Sequence, residues 1–294
     1  MSIFKGSGVA IVTPFDENLE VDLKKLGELI NFQIENGTDA IIICGTTGES
    51  ATLKINEQKA CISEAVKIAN KRVPVIAGTG SNDTAHAIEL SVLAQECGAD
   101  ALLVVTPYYN KATQKGLIAH FTAIANSVTL PIVLYNVPSR TGCNILPKTV
   151  VELARTVDNI VAIKDAASNL SQTAQMMHLA NGCIDVYSGN DDQIIPILSL
   201  GGIGIISVLA NIAPRQIHEM CMEYLNGNWE KAVKMQLDAI PLIQDLFCEV
   251  NPIPVKAALN MMGKSVGELR LPMTTLEEDN RNLLEKSLKD YGLL

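Results

Sequence analysis

Aromatic side chains are scarce in this chain, at 4%, and charged ones reach only 19%, so a core must come mainly from aliphatic residues. With 48% hydrophobic residues and a mean hydropathy of +0.21, disorder is excluded. Positive charge is in deficit: 23 Lys and Arg against 32 Asp and Glu leave a net charge of −9 and a pI near 5.0. A surface built to displace counterions from nucleic acid is thereby disfavoured. The seven cysteines (Cys44, Cys61, Cys97, Cys143, Cys183, Cys221, Cys248) nowhere form a C-x-x-C pair. They read as buried free thiols in a reducing cytoplasm, not as a disulfide framework or zinc site. No cationic leader with a long apolar core opens the chain, so secretion has no support. The one uncharged stretch long enough to span a membrane, residues 194–214, is broken by Pro196, Gly201, Gly202 and Gly204 into a short helix, a turn and a strand. No membrane contact is expected.

What is present is a repeating pattern. Short apolar, β-branched runs recur: VAIVT (9–13), AIIIC (40–44), VPVIAG (73–78), ALLVVT (101–106), PIVLYN (131–136), IVAIK (160–164), DVYSG (185–189) and IGIISV (203–208). Without in/out alternation, they suit strands covered on both faces. Between them lie segments with helical spacing, such as Leu23, Leu26, Leu29, Ile30 and Ile34, which ends at the stop pair Asn36-Gly37. Eight β/α units predict an α/β fold, a closed (β/α)8 TIM barrel over residues 1–226. Residues 227–294 carry no strand run and read as a C-terminal helical region packed on the barrel. An open doubly wound sheet is the alternative, but no G-x-G-x-x-G follows the first run.

In such a barrel the active site lies at the C-terminal strand ends. Lys164 is the only cation inside any of the eight runs. A lysine pointed into a barrel mouth loses hydration, which disfavours its charged form and favours an amine nucleophile able to form a Schiff base with a ketone. The plain alternative is a structural ion pair with Asp165 or Glu49. Tyr135 ends the neighbouring run, close enough to exchange protons with the lysine, or else simply fills core. Thr46 and Thr47 lie in a glycine-bracketed turn, offering hydroxyls and N–H groups to a carboxylate, or only turn chemistry. Arg140 sits in a loop confined by Pro138 and Gly142, where its fork could take a second carboxylate or remain solvated. The glycines Gly201, Gly202 and Gly204 precede the eighth run, on the face away from the mouth, which weakens a phosphosugar reading. His86, His120, His178 and His218 fall in helical segments without ligand spacing, which disfavours a metal-dependent aldolase.

GTTGES (45–50), TPYYN (106–110), YNVPSRTG (135–142), IKDA (163–166) and NPIPVK (251–256) together closely resemble the pyruvate-dependent class I aldolases of the dihydrodipicolinate synthase and N-acetylneuraminate lyase family, on its synthase side. The resemblance runs end to end, including LRLPM at 269–273. It implies condensation of pyruvate with L-aspartate 4-semialdehyde in the lysine and diaminopimelate pathway, without metal or organic cofactor. It further implies Lys164 as the Schiff-base lysine, Tyr135 as general acid/base, and Thr46 with a Tyr109 donated by a neighbouring subunit as the rest of a proton relay. Thr47, the Ile206 backbone and Gly189 would hold pyruvate, and Arg140 would receive the semialdehyde. A homotetramer, or a dimer, is the assembly implied. Sialic acid lyases typically lack the arginine and carry Ser-Thr in place of Thr46-Thr47, so a sugar-acid lyase is the second reading. A silent keto-acid sensor would be expected to have lost Lys164 or Tyr135. Relatives inhibited by lysine line an interface site with histidines and a glutamate; here those positions carry Ile55, Gln58 and His86, although Ser50, Ala51, Asn82 and Tyr108 match. Insensitivity to L-lysine is therefore expected.

Overall fold

A computed structural model of the protein describes residues 2–294. Eight parallel strands close into a barrel in sequence order: β1 (Gly6–Ala10), β2 (Ala40–Ile43), β3 (Val75–Gly78), β4 (Ala101–Val105), β5 (Ile132–Asn136), β6 (Ile160–Asp165), β7 (Asp185–Ser188) and β8 (Gly204–Ser207). The outer ring contains α1 (Leu23–Glu35), α2 (Ile55–Ala69), α3 (Thr84–Glu96), α4 (Gln114–Ala125), α6 (Pro147–Thr156), α7 (Leu170–Ala180), α8 (Ile194–Ser199) and α9 (Pro214–Leu225), while α5 (Pro138–Thr141) is a single turn at the mouth. Three further helices follow, α10 (Trp229–Asp245), α11 (Ile253–Met261) and α12 (Glu278–Asp290), with α10 packed on α9 and α12 on α10 and α11. The expected (β/α)8 barrel with added C-terminal helices is what the chain forms, and the break at Gly227 lies between α9 and α10. Among the described residues no helix is long and apolar enough to cross a membrane.

The unbroken apolar runs have a direct cause. One set of side chains, including Ala10, Ile42, Ile76, Leu103, Ala162 and Ile206, fills the barrel interior, while the alternate set packs under the helices. Phe4 and Tyr187 stack at 4.3 Å within the inner layer, and the Tyr187 hydroxyl donates to the Phe4 carbonyl at 2.8 Å. The seam closes where Gly6 pairs with Gly204; a Cβ on Gly204 would come within 2.1 Å of the Gly6 carbonyl oxygen. Gly204, the first residue of β8, thus serves backbone approach at the seam, whereas Gly202 before it is crowded by Ile197 and the Val186 carbonyl.

Three expectations need correction. The first strand is Gly6–Ala10, not 9–13. Its GSG opening has weak strand preference by itself, but a Cβ on Gly8 would meet Phe4 and Ile42, so the inner layer selects glycine there. Cys97, Cys183 and Cys248 are only partly buried, because they sit at the surface ends of α3, α7 and α10; the other four are buried. Arg140 stands on the helical turn α5, opened by Pro138 and closed by Gly142 at φ 66°, not in an irregular loop.

Candidate active site

The register of β5 on β6 pairs Tyr135 with Lys164 at the C-terminal ends of both strands. Lys164 is 5% exposed, and its Nζ lies 4.5 Å from the centre of the Tyr135 ring. Among the described residues it forms no ion pair. Both expected carboxylate partners are committed elsewhere: Glu49 accepts from Lys256 Nζ at 3.0 Å, and Asp165 accepts from the Thr173 hydroxyl at 2.7 Å and the Ala167 N–H at 3.1 Å. Burial pushes the Asp165 carboxyl above its usual range, with these hydrogen bonds working against it. The structural ion-pair reading of Lys164 is thereby removed.

A chamber of about 230 Å³ opens above the lysine, walled by Thr46, Thr47, Tyr135, Gly189, Val208 and Asn251, with Arg140 at its rim. Seen together, six of the eight singled-out residues (Lys164, Tyr135, Thr46, Thr47, Arg140 and Gly189) meet here. Ile206 does not line it; the residue is fully buried in the inner layer below, and Val208 forms that part of the wall. Tyr109 is absent too, standing 91% exposed on the outside. Tyr109 has a left-handed backbone, φ 70°, and its N–H donates to the Thr141 carbonyl at 3.3 Å.

A second chamber of about 420 Å³ adjoins the first through shared walls at Thr46, Tyr135, Arg140 and Asn251, and extends to Ser50, Gln58, His86 and Tyr108. The inferred effector positions therefore divide. Gln58 and His86 face this space, whereas Ile55 is half exposed outside it. His86 is held by Glu89, with Nδ1 to Oε2 at 3.1 Å.

Three residues given no role above support this site. Asp191 is buried behind the β7 and β8 ends, where its carboxylate accepts from the Ser207 hydroxyl at 2.5 Å and from the Val208 and Leu209 N–H groups at 3.1 and 3.0 Å. Burial pushes its carboxyl up despite these bonds. Lys256, in α11, donates to Glu49 and also to the Thr13 and Glu268 carbonyls. The Asn251 side chain donates to the Thr47 hydroxyl at 2.9 Å, while its backbone carbonyl accepts from Arg140 at 3.1 Å. NPIPVK contains the last two, but nothing in its spacing says which side chains it must reach. Among the described residues, no group of three or more histidine, cysteine, aspartate or glutamate side chains is arranged to hold a metal ion.

A model of the Dihydrodipicolinate synthetase family matches residues 3–291. A 4-hydroxy-tetrahydrodipicolinate synthase from Lachnoclostridium phytofermentans is 60% identical over 294 residues, covering 100% of both chains. A solved dihydrodipicolinate synthase is 54% identical with a TM-score of 0.96, covering 99% of this chain and 100% of its own. Another, from Cyanidioschyzon merolae with lysine bound, is 41% identical with a TM-score of 0.97, covering 100% of each. With its barrel, its lysine chamber and near-complete coverage by these relatives, the chain belongs to the dihydrodipicolinate synthetase family.

Proposed function

We propose that the chain condenses pyruvate with L-aspartate 4-semialdehyde to 4-hydroxy-tetrahydrodipicolinate, a lyase-type step of lysine and diaminopimelate biosynthesis. The observation that carries this reading is the buried Lys164 amine, which forms no ion pair among the described residues, at the base of a chamber rimmed by Tyr135, Thr46, Thr47 and Arg140. Lys164 Nζ attacks the ketone carbon, and loss of water leaves an iminium. Tyr135, beside it, moves the protons, in relay with Thr46 and a Tyr109 from a second copy. The iminium accepts the electron pair left when a methyl proton departs, and the resulting enamine adds to the aldehyde. The semialdehyde's amine then closes the ring and releases the lysine. Thr47 and Gly189 hold pyruvate's carboxylate end and Arg140 takes the semialdehyde's carboxylate. Ile206 would contribute only through backbone. The free thiols suit a reducing compartment such as the cytoplasm.

Pyruvate with the semialdehyde gives a cyclic product, and N-acetylneuraminate is cleaved negligibly. Arg140→Ala raises KM for the semialdehyde roughly 10- to 150-fold, the worth of a charged hydrogen bond of about 1.5–3 kcal/mol. Faster cleavage of neuraminate than condensation would make the chain a sugar-acid lyase instead.

Self-association completes the site. Tyr109 stands exposed, and Trp229, Val233 and Leu237, spaced four apart, form an exposed apolar stripe along α10. Two distinct isologous contacts generate a tetramer with dihedral symmetry. Sedimentation should show a tetramer, and Leu237→Asp should yield dimers. A monomer with full activity would remove Tyr109 from the relay.

Initial rates at subsaturating pyruvate should not respond to submillimolar L-lysine, because His86 and Gln58 offer its ammonium group no carboxylate. Glu89 engages His86, and Ile55 lies outside the chamber, so His86→Glu is the informative gain-of-response variant. An anionic partner restored there tightens lysine by about one to two decades. Strong inhibition of the unmodified protein would show that the chamber holds lysine through other contacts.

A further inference from the structure

Thr47 depends on a side chain 204 positions away. Asn251 is 4% exposed and stands just before α11, in the wall of the lysine chamber. Its amide Nδ2 donates to Thr47 Oγ1 at 2.9 Å, whereas its Oδ1 is buried without any donor among the described residues. A threonine hydroxyl has one proton to give and two lone pairs to offer. Asn251 occupies a lone pair, and no acceptor among the described residues takes the proton, which is left for whatever enters the chamber.

We propose that Asn251 is a positioning residue that compels Thr47 to act as a donor toward the keto acid's carboxylate, while its backbone carbonyl holds Arg140 over the same mouth. This rests on the pyruvate reading of the site. The opposite amide orientation would let Oδ1 take the Thr47 proton and would turn a bare oxygen lone pair toward the chamber, where it repels an anion. The unpaired Oδ1 is what the favourable orientation leaves behind.

Asn251→Asp tests the polarity with almost no change of shape. Ionised, the aspartate can only accept, so it draws the Thr47 proton away and adds negative charge; protonated, it can donate as the amide does. The measurement is trapping of the Lys164–pyruvate iminium by cyanoborohydride, which reduces its C=N bond to a stable secondary amine, in the full-length protein as a function of pyruvate concentration and pH. The half-saturating pyruvate concentration of Asn251→Asp should exceed that of the wild type by about tenfold or more near neutral pH, with the ratio closing as acidification protonates the new carboxyl. Reduction at saturating pyruvate should match the wild type. A purely structural asparagine would lower Tm without this pH-dependent ratio. Asn251→Ala, which removes both ends of the amide, should raise the requirement about 3- to 10-fold at all pH values, and it decides the matter if the aspartate variant does not fold. Pyruvate dependence equal to wild type in the folded variants overturns the proposal. Failure to trap a reduced pyruvyl adduct on Lys164 in the wild type overturns the pyruvate reading instead.

Discussion

Borohydride added with pyruvate should inactivate the protein and place a reduced pyruvyl group on the peptide containing Lys164. Replacement by arginine should abolish both labelling and turnover. Arginine keeps a positive charge but does not deprotonate, so it cannot attack a ketone. Loss of a covalent nucleophile lowers kcat by at least about a thousandfold. The expectation is specific because the surroundings of this one amine are unusual. Lys164 is the sole cation in the barrel strands, is almost fully buried, forms no ion pair among the described residues, and has a tyrosine ring 4.5 Å away. Label on another lysine, or appreciable turnover by Lys164→Arg, would overturn the Schiff-base chemistry.

The second large effect is on stability and falls on a different lysine. Lys256→Met should destabilise the fold by about 3–5 kcal/mol, because it strands Glu49 as a buried carboxylate without its cation. The side chains of the pair are 1% and 3% exposed, and Lys256 Nζ also lies 4.3 Å from the centre of the Phe15 ring. Burial pushes the Lys256 ammonium down from its ordinary value, with Glu49 opposing that shift. Glu49 receives a further N–H from Arg270 at 3.1 Å, and Arg270 in turn clamps Glu57. The network thus joins the GTTGES turn, the start of α2 and the C-terminal segment. A fall in Tm on the order of 10 °C is expected for the single substitution. Lys256→Met combined with Glu49→Gln should recover part of it, since removing both charges leaves neither one unpaired. An unchanged Tm for Lys256→Met would show that the pair contributes nothing net. Pyruvate affinity should weaken as well, because the same turn carries Thr46 and Thr47.

How far the sequence reaches can be judged from particular residues. β2 through β8 were legible as short, mostly apolar runs without in/out alternation, because strands buried on both faces need no polar alternation. β1 was displaced, because GSG signals a turn locally and its strand role arises from pairing with β2 and β8 and from contact with Phe4. Lys164 stood out because a cation in an apolar run is conspicuous, and the family motifs drew the same residues together. Whether it was paired could not be read: that depended on Glu49 being occupied by Lys256, 207 residues away.

The sequence by itself determined the barrel, the order of its strands and the residue types at its mouth, since these follow from local periodicity and from side-chain chemistry. Tertiary structure alone decided which carboxylates were already taken, that Val208 and not Ile206 faces the chamber, that Tyr109 points away from its own site, and that Asn251 orients Thr47. The physical reason is that a hydrogen bond or ion pair between distant segments leaves no periodic trace along the chain; it exists only once the closing barrel and α11 bring its two ends within about 3 Å.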